Sequence, residues 1–257
     1  SDLATYTLSA MEKVAFSPRL KDQASFLLRR LVGEDKKHLF LLHDMTTGIE
    51  SSINPHDLPL GRLTPTSFQK EMLVRFLHVL LGGVEKNSDG DFKILHPEME
   101  SMIKYMIDVV YDYRQEDASP RMFKPGEFKQ KSTLAFLKKH GVTVTENYSY
   151  YSLADLAMKA DSRTGYYHAM ILRRYAVPRL EDYSTVLINN AEIGARYDDT
   201  IVGGKSLKKY FLQRIGEVMN EFQCFTRPTR VSVDVARMIS IDIDSVCGQS
   251  DYRKAVF

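Results

Sequence analysis

The chain has 257 residues, 44% hydrophobic and 26% charged, which suits one large or two small globular domains. Its 35 Lys and Arg against 33 Asp and Glu give a formal charge of +2 with no block of one sign, which removes the electrostatic case for nucleic acid as the main partner. The longest apolar stretch, Phe76 to Val84, holds His78 and two glycines and falls short of the roughly 20 residues of a membrane span. No secretory signal is visible, and Cys224 and Cys247 are too few and too isolated for a disulfide framework, which fits a reducing compartment.

The spacing of Leu3, Tyr6, Leu8, Met11, Val14 and Ala15 predicts a helix over 3–16. Pro18 opens a second helix lined by Leu20, Ala24, Leu27, Leu28 and Leu31, and Gly33 ends it. Leu39 to Leu42 is a short apolar run of strand length. A connector follows, Ile53 to Thr66, with Pro55, Pro59, Pro65 and Gly61. Each proline fixes its own φ and pushes the residue before it out of the helical region, so the connector is rigid and extended.

Thr66 or Ser67 can cap a helix carrying Met72, Leu73, Phe76, Leu77, Leu80 and Leu81, stopped by Gly82-Gly83. Pro97 opens another, with Met99, Met102, Ile103, Met106, Ile107 and Val110 inward; these methionines read as core. Residues 111–131 are polar and read as a loop. A short helix spans Thr133 to His140, and Val142 to Thr145 reads as a short strand or an extended lead-in to the next helix. Helices then run from a Ser152 cap through Ala160, from Arg163 to Ala176, after Pro178 through Leu187, and from Ser206 to Phe222. Near the end the period changes to two. Residues 229–233 and 238–244 alternate and read as a strand pair. The expected fold is α+β and mostly α, with helices and one core strand in 1–50, a helical region in 51–227, and a strand pair returning to the core in 228–247.

Chemical motifs are sparse. Gly203-Gly204-Lys205-Ser206 resembles the end of a phosphate-binding loop, but Asp199 stands where the first glycine is required, so a Gly-rich turn before a helix is the better reading. Glu85 to Gly90 partly fits a calcium loop, but His96 occupies the position of the bidentate Glu. His38 and His43 do not make a zinc pattern. No nucleophile has an activating base nearby in sequence, so neither a catalytic residue nor a metal ligand is assigned. Three residues are candidates for nucleotide binding. Asp242 ends an apolar run, where an acid can hold magnesium or orient water. Arg227 and Arg230 flank Pro228 and could reach the phosphate of a neighbouring subunit; a solvated arginine pair is the plainer alternative.

Three stretches together resemble one family: Ile53 to Thr66, Ala176 to Asp182, and Pro228 to Val246. Their order and span resemble the motor ATPases of type IV secretion and conjugation, of the Dot/Icm type. His56 departs from the aromatic residue expected at its position. The resemblance implies a RecA-like ATPase using ATP and magnesium, self-associating as a hexamer at the cytoplasmic face of the bacterial inner membrane. It also implies contacts with other secretion ATPases or inner-membrane components. This chain looks like the helical portion inserted between that family's phosphate loop and its later acidic strand, which agrees with two ends that read as cut. The segment alone is then expected to bind no cofactor and to serve subunit or partner contacts. The alternative is a stand-alone helical adaptor with no enzymatic activity.

Overall fold

A computed structural model describes residues 40–44, 52–82, 97–161, 163–202, 204–230 and 238–242. The expected helices over 3–16 and 18–33 and the turn at 85–90 lie outside the described residues.

The described fold is mainly α. Helix α1, Ser67–Gly82, starts at a reciprocal cap: the Thr66 hydroxyl accepts from Gln69 N (3.2 Å) and Gln69 Oε1 accepts from Thr66 N (2.9 Å). Helix α2, Pro97–Tyr113, opens on proline with Glu98 and Glu100 in its first turn, where the helix dipole favours negative charge. Its six inward residues are fully buried, as their spacing predicts. Helix α3, Lys131–Lys139, closes in a Schellman turn: Gly141, at φ +81°, donates to Lys138 O, and Val142 N donates to Leu137 O (2.9 Å). Residues 142–145 are therefore an extended lead-in and not a strand.

Helix α4, Tyr150–Ala160, is capped by Ser149 rather than Ser152; the Ser149 hydroxyl accepts from Ser152 N (2.9 Å). It is followed by α5, Thr164–Ala176, and α6, Leu180–Asn189. Helix α7, Ala191–Asp198, is not anticipated by the sequence reading; Asn190 caps it, and Ile193 and Tyr197, four apart, are buried. A two-residue hairpin, β2 (Ile201–Val202) with β3 (Lys205–Ser206), leads into α8, Leu207–Glu221, and a 3-10 turn, Gln223–Phe225.

Two cores result. The first joins α1, α2, α6, α7, α8 and the 3-10 turn, and is built of Leu, Ile and Met with a few aromatics. The second joins α3, α4 and α5 with Phe123 and Phe128, and is built of aromatics and alanines. In the second core α4 and α5 approach so closely that a Cβ on Gly165 would lie 2.0 Å from Ala157 O.

Strand β1, Phe40–Asp44, pairs in parallel with β4, Met238–Asp242, in the register Phe40 with Met238 through Asp44 with Asp242. Local alternation suggested that 229–233 is the partner of this last strand. Thr229 and Arg230 lie in no strand, and 231–237 are outside the described residues. The partner within the described residues is far away in sequence, and every described helix lies between the two strands.

Candidate functional site

The connector is held by backbone and side-chain bonds along its first half. Ile53 N donates to Cys224 O (3.0 Å), and Arg230 N donates to Ser52 O (2.9 Å). Ser52 Oγ donates to Pro228 O (2.6 Å), and Asn54 N donates to the Thr229 hydroxyl (2.7 Å). The segment 224–230 thus runs beside 52–54.

Asn54 is the hub. Its Nδ2 donates to Pro178 O (2.8 Å), which brings in the loop before α6. Its amide orientation is fixed by that bond, so Oδ1 is the acceptor for His56 N (3.1 Å) and for His56 Nδ1 (3.2 Å). An oxygen cannot donate there, so His56 carries its proton on Nδ1. Nε2 then accepts from the Tyr183 hydroxyl (2.8 Å). Tyr111 donates to the His56 backbone carbonyl (2.8 Å). The His56 ring is near those of Tyr111 and Tyr183, with centroids at 6.1 and 5.4 Å, so this departure from an aromatic residue still places a flat ring among aromatics.

The electrostatics argue for a lock rather than a catalyst. Burial pushes His56 down to about 4, against the pull of Asp182, so the ring is neutral at pH 7. Burial also raises Tyr111 and Tyr183, which keeps both hydroxyls protonated. Asp57 is pushed up to about 6 by burial, against its bond to Thr229 and the charges of Arg174 and Arg179; its Oδ1 meets no donor.

A charged cluster flanks the junction. Asp182, wholly buried in the first turn of α6, accepts from Arg114 Nη2 (2.6 Å), Arg121 Nη2 (2.8 Å) and Arg179 N (2.8 Å). Burial opposes its ionisation, but Arg121, Arg114 and the backbone donor hold it below the usual carboxylate range. Arg121 also meets Glu181 (2.8 Å), and Arg179 meets Glu127 (2.5 Å). This ties the loop after α2 to the start of α6, where the sequence offers only scattered surface-like charges.

Every one of the three stretches singled out in the sequence contributes to this junction: Asn54 contacts Pro178 of the second and Thr229 of the third. The chain matches no protein-family model, no curated protein and no solved structure.

Of the nucleotide-binding candidates, Arg230 is at the junction, where its side chain bonds Tyr175. Arg227 is half-buried nearby in sequence, beside Pro228. Asp242 is on β4, in register with Asp44 at the carboxyl ends of two parallel strands. Lys205 is in the β2–β3 hairpin, where its Nζ donates to Gln213 Oε1 (2.5 Å), and Ser206 caps α8 through Lys209 N (3.4 Å). Lys205 and Ser206 thus lead into a helix, as the sequence favoured, while Gly203 lies outside the described residues. Among the described residues no three His, Cys, Asp or Glu side chains are grouped to hold a metal ion, and no helix is long and apolar enough to cross a membrane.

Sequence reasoning marked the connector for its prolines but missed Asn54 as its hub and Asp182 as the centre of the charge cluster. The signal for Asn54 was its place directly before a proline, where an Asn side chain can accept from the backbone N–H two residues on, the pattern of an Asx turn. Asp182 had no comparable local signal.

Proposed function

We propose that this chain is the helical region of a type IV secretion motor ATPase of the Dot/Icm type (DotO, also called IcmB), inserted within a RecA-like core. In this reading the parent protein works as a hexamer at the cytoplasmic face of the bacterial inner membrane. It couples hydrolysis of magnesium-bound ATP to export or assembly. The helical region serves contacts with neighbouring subunits, with other secretion ATPases or with inner-membrane components.

One observation carries the reading. Parallel neighbours need a crossover, and here β1 and β4 are joined through a body of two helical cores. An insertion between adjacent strands of a parallel core requires that arrangement. Ligands of open parallel sheets gather at the carboxyl ends of the strands, where Asp44 and Asp242 share a register position. The junction at Asn54 supports the same reading, because it draws the entry to the helical body and its exit toward β4 into one place. Arg230 is on that exit path, suited to carry a change at a nucleotide into the body.

The test is nucleotide binding and turnover by this chain beside a longer protein that includes a phosphate-binding loop upstream. Turnover is expected only from the longer protein, with Lys205→Ala leaving it unchanged. Magnesium-dependent hydrolysis by the chain alone, lost on Lys205→Ala, would overturn the proposal. A parent sequence with no such loop would favour the adaptor.

A further inference from the structure

A cleft of about 650 Å³ is lined by the second half of the connector, the loop after α2, and helices α4 and α5. Leu63 on the connector forms one lip and is 49% exposed. Glu116 and Asp117, just after α2, form a second side. Tyr151 and Asp155 of α4 form a third, and Arg173 of α5 lies at the base.

The charge of this cleft is local. Three carboxylates against one guanidinium leave it at −2, whereas the whole chain is at +2. Arg173 is already engaged: its guanidinium lies 4.3 Å over the Tyr151 ring and donates to Arg62 O. Glu116 accepts from the Ser149 hydroxyl (3.2 Å) through one oxygen and keeps the other. Glu116 and Asp155 share the single positive charge of Arg173, and Asp117 and Asp155 are both exposed. The walls are preformed. Arg173 fixes the connector, and the loop after α2 is held by Ser119 N on Tyr113 O (3.0 Å) and by Arg114 Nη1 on Ser119 O (2.9 Å).

We propose that this cleft docks a basic amphipathic segment of a partner protein. Lysine or arginine side chains of that segment meet Glu116, Asp117 and Asp155, and an apolar side chain between them enters beside Leu63 and Tyr151. A nucleotide or another anionic ligand is disfavoured by the three carboxylates, and a purely apolar segment would desolvate them with only Arg173 as countercharge. The proposal rests on the cleft alone and does not require the motor reading.

The experiment is fluorescence anisotropy of the whole chain with a fluorescein-labelled peptide of alternating lysine and leucine. The peptide is expected to bind, and one with glutamate in place of lysine is not. Charge inversion at two exposed positions, Asp117→Lys with Asp155→Lys, should weaken binding by about tenfold or more, and Leu63→Ala by about threefold. The matched surface inversion Glu192→Lys with Asp199→Lys, away from the cleft, should leave it within about twofold. Equal losses in both double variants would reduce the effect to bulk charge and overturn the proposal, as would no binding at all. Sedimentation supplies a second readout. Self-association of the wild-type chain that disappears in the Asp117→Lys/Asp155→Lys variant would assign the cleft to a second copy and overturn the separate partner.

Discussion

The two helical cores solve the same packing problem with different materials. The first draws its side chains from Leu73 to Phe225 and fills its centre with long aliphatic and thioether groups, which adapt to irregular gaps. The second is drawn from one continuous stretch, Phe123 to Ala176, and lets α4 and α5 approach over Ala154, Ala157, Gly165 and Ala169 while aromatics fill the sides. Large flexible groups tolerate adjustment; a backbone-to-backbone contact does not. The first core should therefore respond to substitution in small steps and the second abruptly. The second should also form earlier, because its contacts are local in sequence.

The severest way to disturb both cores at once is at their shared charge cluster. Asp182→Ala strips the common partner from Arg114 and Arg121, and losing one member of a buried ion network costs about 3 to 5 kcal/mol. Urea unfolding should show that loss, and a change below about 1 kcal/mol would mean that the guanidiniums find other acceptors.

Gly165→Ala separates the cores instead. Its new Cβ has only backbone to push against, so α5 must move off α4, at roughly 2 to 3 kcal/mol. Hydrogen exchange should lose protection in α4 and α5 and keep it in α2. Uniform loss would show that the two cores unfold as one unit. Asn54→Ala removes the acceptor of the His56 ring and the donor to Pro178 O, at roughly 1 to 3 kcal/mol. Its signature is exchange at the backbone amide of His56, which loses its acceptor, before either core opens.

The smallest effect is a balance of opposite signs. His56 titrates at about 4 in the fold, below its ordinary value of 6.5, so the unfolded chain takes up that proton first as pH falls. Stability is therefore lost between about pH 6.5 and 4. Asp57 titrates at about 6, above its ordinary 3.8, so here the fold takes up the proton first and stability is gained as pH falls from 6 towards 3.8. The pair nearly cancels. Asp57→Asn removes the gain, so its unfolding free energy from urea titration should fall more than that of the wild type between pH 7 and 4.5, by up to about 2 kcal/mol. Parallel curves for the two proteins would contradict the opposed titrations.

Helices were legible wherever a wide apolar stripe met a cap: α1, α2 and α8 follow from spacing and from Thr66, Pro97 and Ser206. Helix α7 was hidden because eight residues show only one buried i, i+4 pair, Ile193 with Tyr197. The cap of α4 was displaced because Tyr150 and Tyr151 are both buried, which gives its first turn no visible period. The partner of β4 was out of reach of any local pattern, since alternation reports a strand but not what it pairs with. The site followed the same rule. Prolines announced a rigid connector, but the Asp182 cluster joins residues more than 60 positions apart, and such charges look solvated one at a time.

The pairing of β1 with β4 also imposes an order on synthesis. The first strand leaves the ribosome long before the second exists, with the stretch from 45 to 237 still to be made. At cellular elongation rates that interval is about 10 to 40 s. During it the second core is complete as soon as Ala176 has emerged, whereas the edge of β1 has no β4 to pair with. Nascent chains halted between residues 180 and 230 are therefore the ones in which a chaperone should be found on β1, and its release should coincide with the appearance of Met238 to Asp242.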